Sequence, residues 1–80
     1  MPETFGERLR EARKRRNLNQ YELAELVLGN GARQAEVSRW ESGTVEPTSG
    51  NLTTIVRVLN VSADELLGTA TIIEPTSVLA

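Results

Sequence analysis

Residues 34–43, QAEVSRWESG, place two kinds of side chain on opposite sides of a helix. At 100° per residue, Val37, Trp40 and Glu41 fall on one side, while Ala35, Arg39 and Ser42 fall on the other. Gly43 stands where a helix stops in a left-handed residue. The inward side is a two-residue apolar anchor with one carboxylate beside it. The outward side is a strip of small, amide and guanidinium groups, which suits a helix that enters a DNA major groove.

The residues just before this stretch supply a helix for it to pack on. Asn19 and Glu22 have the spacing of a capping box, and Leu18 and Leu23 have the N′ and N4 spacing of a hydrophobic staple. Gln20, Leu23, Ala24, Val27 and Leu28 then follow an i, i+3, i+4, i+7, i+8 pattern, with small Ala24 placed where another helix can cross closely. Gly29, Asn30 and Gly31 break that helix. Two helices joined by a glycine-containing turn, the second with polar groups outward, form a helix-turn-helix unit.

On the N-terminal side, Thr4 and Glu7 form another capping box, and Phe5, Leu9 and Ala12 share one face, so a first helix is expected from about Phe5 to Arg16. Asn17, which tolerates the left-handed region, ends it. On the C-terminal side, TVEPTSGN (44–51) reads as a surface loop, because Pro47 and Gly50 interrupt regular helix. Asn51 or Ser49 is expected to cap a fourth helix carrying Leu52, Ile55, Val56 and Leu59, with Asn60 as its end. Ser62 with Glu65 gives a third capping box, and Val61 with Leu66 a second staple, for a short fifth helix closed by Gly68. Residues 1–68 then make one helical domain. The tail, residues 69–80, is rich in β-branched residues until Pro75, so it either stays disordered or supplies a dimerisation strand.

Composition limits what such a unit can do. Eighty residues leave room for one small core of marginal burial, so local signals must contribute. The chain has neither Cys nor His, and Asp64 and Glu65 are taken up at a helix start. No enzyme activity, metal site or cofactor is therefore expected, and a zinc finger is excluded. The charged N-terminus lacks the apolar core of a signal peptide, and no segment approaches the ~20 apolar residues of a membrane span, so a cytoplasmic chain is expected. The net charge of −2 argues against indiscriminate coating of nucleic acid. Its distribution is uneven: residues 1–16 carry six bases against three acids, and residues 43–80 carry one base against four acids. A basic end and an acidic end favour an oriented approach to a polyanion, although Lys14, Arg15 and Arg16 equally suit a solvated helix terminus.

LREAR (9–13), LNQYELA (18–24), VSRWESG (37–43), EP (46–47) and LNVSADELLG (59–68) occur in one order along the chain. On these pieces the run from Phe5 to Gly68 resembles the helix-turn-helix domain of the phage Cro and repressor-like (XRE) family of bacterial and phage transcription regulators. The resemblance implies an all-α, compact five-helix, lambda-repressor-like domain with a short extended C-terminal tail. It implies a structural ion pair between Arg13 and Glu41, tying the first helix to the third, and a backbone phosphate held by Gln20 at the start of the second helix. It places Gln34, Ala35, Ser38 and Arg39 at base edges.

Side-chain chemistry fits those roles. Arg39 can donate twice to guanine O6 and N7, Gln34 can pair with adenine N6 and N7, and Ala35 can touch a thymine methyl. Arg33, Ser42 and Thr44 complete the expected backbone contacts. Arg39 has a competing option, an i, i+3 pair with Glu36 worth only ~0.3 kcal/mol. Glu36 either accepts from cytosine N4 or repels phosphates and sharpens specificity. This chain departs from the family pattern in three places. The turn within LVLGNGAR (26–33) is longer than usual, Thr44 stands where a lysine or arginine often grips phosphate, and the second half is acidic.

The expected function is a sequence-specific, DNA-binding transcriptional regulator of the repressor type. It would bind double-stranded DNA as a homodimer with helix 3 in the major groove, since one recognition helix buries too little for useful specificity. The competing expectation is a protein-interaction module of the same fold, an antitoxin or factor-sequestering regulator with little DNA binding. The acidic balance and Thr44 support it.

Overall fold

Helix starts follow the local chemistry of the chain. Thr4 Oγ1 accepts from the Glu7 amide at 3.1 Å and the Glu7 carboxylate accepts from the Thr4 amide at 3.3 Å, completing the box that opens α1, Phe5–Arg15. Asn19 and Glu22 repeat it at 2.7 and 2.8 Å for α2, Gln20–Leu28. Between them Asn17 takes a φ of 58°. The third helix, α3, spans Gln34–Ser42 and ends at Gly43 in the left-handed region. Two further helices follow, α4 at Ser49–Leu59 and α5 at Ala63–Leu67, closed by Asn60 and Gly68 respectively.

The structure is a computed structural model and describes residues 4–31 and 33–68, among which every regular element is helical. The expected tail, residues 69–80, and its proposed strand lie outside the described residues. None of the described helices is long and apolar enough to cross a membrane.

Three local expectations are corrected. The first helix ends at Arg15, with Arg16 as its C-cap. The fourth is capped by Thr48, whose side chain accepts from the Asn51 amide at 3.1 Å, and neither Ser49 nor Asn51 has that role. Gly50 therefore lies inside the first turn and does not exclude helix there. Capping at Thr48 puts Pro47 at N′ and Leu52 at N4, the spacing of a hydrophobic staple, and both residues line one shallow groove. The third expected capping box is half made: Ser62 Oγ accepts from the Glu65 amide at 2.9 Å, but the Glu65 carboxylate turns to Arg15 at 3.0 Å, joining α5 to α1.

The apolar faces meet in one core. Leu9 and Ala12 of α1, Leu23 and Ala24 of α2, Val37 and Trp40 of α3, Ile55 and Leu59 of α4 and Leu66 of α5 are buried together, with Phe5, Leu18, Leu52, Val56 and Val61 packed around them. Each fully buried leucine or isoleucine contributes about 1.5–3 kcal/mol of transfer free energy, which is how so short a chain holds five helices. The pair α2 and α3 packs on α1 and α4, so α3 is supported from behind by both α1 and α2. Gly6 sets the first of these crossings. A Cβ there would overlap the Glu41 carbonyl and lie 2.9 Å from the Trp40 carbonyl oxygen, so α1 and α3 approach as closely as they do because this residue has no side chain.

Candidate nucleic-acid interface

α3 shows the two-sided character its sequence suggests. Val37, Trp40 and Glu41 are 0%, 2% and 4% exposed, whereas Gln34, Ala35, Ser38, Arg39 and Ser42 are all exposed. Arg33, the N-cap, and Thr44, just past the C-terminus, are exposed at its two ends. Arg33 makes no side-chain cap, because a guanidinium has no acceptor to offer the first amides, and the Glu36 amide donates instead to the Arg33 carbonyl at 3.1 Å. Before it, Gly29 (96°) and Gly31 (84°) take positive φ, a conformation that costs glycine little.

The inward edge of α3 is held by a chain of charged and amide groups. Arg13 Nε donates to Glu41 Oε2 at 2.6 Å and Arg13 Nη2 to Glu41 Oε1 at 3.1 Å, a two-pronged pair with both partners buried. Arg13 Nη1 also donates to the Leu18 carbonyl at 2.9 Å, which fixes the guanidinium against the α1–α2 turn. Gln20 Nε2 donates to the same carboxylate at 3.0 Å, and Gln20 Oε1 accepts from Gln34 Nε2 at 3.0 Å. Arg10 Nε stands 3.6 Å from Glu41 Oε1, with its side chain about half exposed. So α1, α2 and both ends of α3 are tied through one buried carboxylate. No buried side-chain polar atom among the described residues lacks a partner.

The outward strip carries its own short-range contacts. Arg39 Nη1 lies 3.3 Å from Glu36 Oε2. Ser42 Oγ donates to the Arg39 carbonyl at 3.2 Å and sits 2.8 Å from Thr44 Oγ1. On α2, the exposed Tyr21 hydroxyl donates to Glu25 at 3.0 Å. That hydrogen bond, with the charge of the same carboxylate, pushes the phenol above its ordinary value of 10.0, so Tyr21 stays a neutral donor at physiological pH. No group of three or more acidic side chains among the described residues is arranged to hold a metal ion.

A family model described as helix-turn-helix matches residues 9–66. The chain belongs to the helix-turn-helix family. Over 63 residues it is 36% identical to the HTH-type transcriptional activator BcrR of Enterococcus faecalis and 35% identical to the repressor protein C2 of Salmonella phage P22. Each match covers 79% of this chain but only 29% and 28% of those proteins, so the chain spans less than a third of their length. A crystal structure of the P22 c2 repressor in complex with a synthetic operator shares the fold, with a TM-score of 0.73 and 34% identity. That match covers 81% of this chain and 94% of the other.

Within this helix-turn-helix domain, the residues singled out from sequence divide in two. Ala35, Ser38, Arg39 and Ser42 share the exposed side of α3, with Arg33 and Thr44 beyond its ends. Gln20 and Gln34 are linked to each other at one edge, and Gln20 is half-buried. Sequence reasoning overlooked that link, Arg10 as a second cation beside Glu41, and the close approach at Gly6. Two signals were available: Arg10 stands three residues before Arg13, hence on the same side of α1, and glutamine occupies the first position of both α2 and α3.

Proposed function

We propose that this helix-turn-helix domain is the DNA-binding part of a transcriptional regulator that acts in the cytoplasm of a bacterial or phage-infected cell. α3 enters the major groove, with Gln34, Ala35, Ser38 and Arg39 toward base edges. Gln20, Arg33, Ser42 and Thr44 contact the sugar-phosphate backbone, and two copies read two half-sites on one face of the duplex. The observation that carries this reading is the exposed polar side of α3, whose opposite edge is held where Arg13 and Gln20 grip Glu41. Small and amide groups on a rigidly held helix are what base-edge recognition requires. The likeness to a repressor solved on its operator supports it.

A second reading, a protein-interaction module of the same fold, is favoured by the net charge of −2 and by uncharged Thr44 after the recognition helix. Binding to a duplex selected from a randomised pool, measured at ~50 and ~200 mM salt, separates the two. Contact with several phosphates predicts a loss of orders of magnitude in affinity over that range through counterion release. Absence of sequence-specific binding at the lower salt would favour the protein-interaction reading.

A further inference from the structure

The exposed side of α3 carries a cation and an acid that are bonded to each other. Within α3, Arg39 is the only base, and Glu36 is the only acid besides the buried Glu41. Glu36 Oε2 lies 3.3 Å from Arg39 Nη1, and the two side chains are 40% and 50% exposed, so both are within reach of a bound duplex. Long side chains on a helix lean toward its N-terminus. The pair therefore lays the guanidinium back along α3 toward Ala35, away from Ser42 and Thr44 at the C-terminal end. A guanidinium without such a tether can turn to a phosphate, a contact that carries no sequence information. The carboxylate also brings a negative charge to the face that meets DNA, which disfavours every duplex unless a base-edge donor meets it. In the major groove the cytosine N4 amino group is such a donor, and the guanine paired with it offers O6 and N7 to an arginine.

We propose that Glu36 is a specificity-determining and positioning residue of the interface. Arg39 donates to guanine, Glu36 accepts from cytosine N4 in the same or the adjacent G·C pair, and the tether keeps Arg39 off the phosphates. This rests on the DNA-binding reading above and adds to it a base preference and the residue that enforces it.

The test compares the unsubstituted chain with Glu36→Gln, which keeps side-chain length and removes the charge, and with Glu36→Ala, which removes both. Each selects duplexes from a randomised pool. Affinities are then measured for the duplex chosen by the unsubstituted chain and for a scrambled duplex of equal composition. Both variants are expected to keep their helical content, because Glu36 is partly exposed and outside the core. Affinity for the scrambled duplex should rise about tenfold with one acid fewer at the interface, while affinity for the selected duplex stays level or falls. The ratio of the two then drops about tenfold, and selection loses its G·C preference at the pairs under Arg39 and Glu36. Equal gains on both duplexes with an unchanged base preference would overturn this inference alone, since the carboxylate would then act only as bulk charge. Failure of the unsubstituted chain to bind any duplex specifically would overturn the DNA-binding reading and this inference with it.

Discussion

Glu41 brings a carboxylate into the core, and the groups around it explain why that is tolerated. Arg13 meets it with two donors, Gln20 with a third, and Arg10 adds a second positive charge at 3.6 Å. Removing one partner from a buried pair strands the other, at a cost of about 3–5 kcal/mol, so these residues bear on folding before they bear on recognition. Arg39 is the opposite case. Its guanidinium is half exposed and, among the described residues, holds only Glu36, so Arg39→Ala is expected to leave thermal denaturation and helical content unchanged. The same variant should weaken binding to the selected duplex by about 1–3 kcal/mol in a titration. The outward position of Arg39 was legible from helical periodicity alone. The position of Gln20 was only half legible: its place at a helix N-terminus is local, but its bonds to Glu41 and Gln34 depend on how α2 and α3 come together.

The boundaries of the helices divide along the same line. Asn19 and Ser62 were readable as caps because each acts on an amide three residues ahead, within one turn of chain. Thr48 was not, because Thr48, Ser49 and Asn51 all have capping side chains, and spacing alone does not choose among them. Glycines in helices show the same split between local and distant causes. Gly50 has open space around its missing Cβ, whereas Gly6 faces the backbone of Trp40 and Glu41. Gly50→Ala is expected to stabilise the domain by up to ~1 kcal/mol through backbone entropy and helix propensity. Gly6→Ala should destabilise by about 1–3 kcal/mol or more, since two backbones must part to admit a methyl group. Urea denaturation of the two variants should shift the midpoint in opposite directions.

Assembled, the chain brings its basic α1 against α5 of the acidic second half, where Arg15 meets Glu65, and against α3, which crosses close behind it. The five-helix arrangement was legible because apolar spacing and the stops at Asn17, Gly29, Gly43, Asn60 and Gly68 marked each helix, even where the cap was misassigned. The α1–α3 approach at Gly6 was not, because it joins residues far apart in sequence whose only shared signal is the absence of a side chain. A domain with one short recognition helix covers too little duplex to discriminate well alone. Two chains per duplex are therefore expected, with half-sites about 34 Å apart, and sedimentation of the protein–DNA complex should give that stoichiometry. A one-to-one complex on a two-half-site duplex would count against paired binding.

The bonds at Gln34 and Glu41 lie seven residues, or about two turns, apart on nearly the same meridian of α3, and both run through Gln20. Two anchors on one meridian resist rolling of the helix about its own axis. A roll of ~10° carries a group ~6 Å from that axis through ~1 Å, enough to spoil a hydrogen bond to a base. The carboxylate buried behind α3 thus acts as a rotational stop for the exposed side of the helix, and the orientation of Ala35, Ser38 and Arg39 is set in part by the buried pair of Arg13 and Glu41.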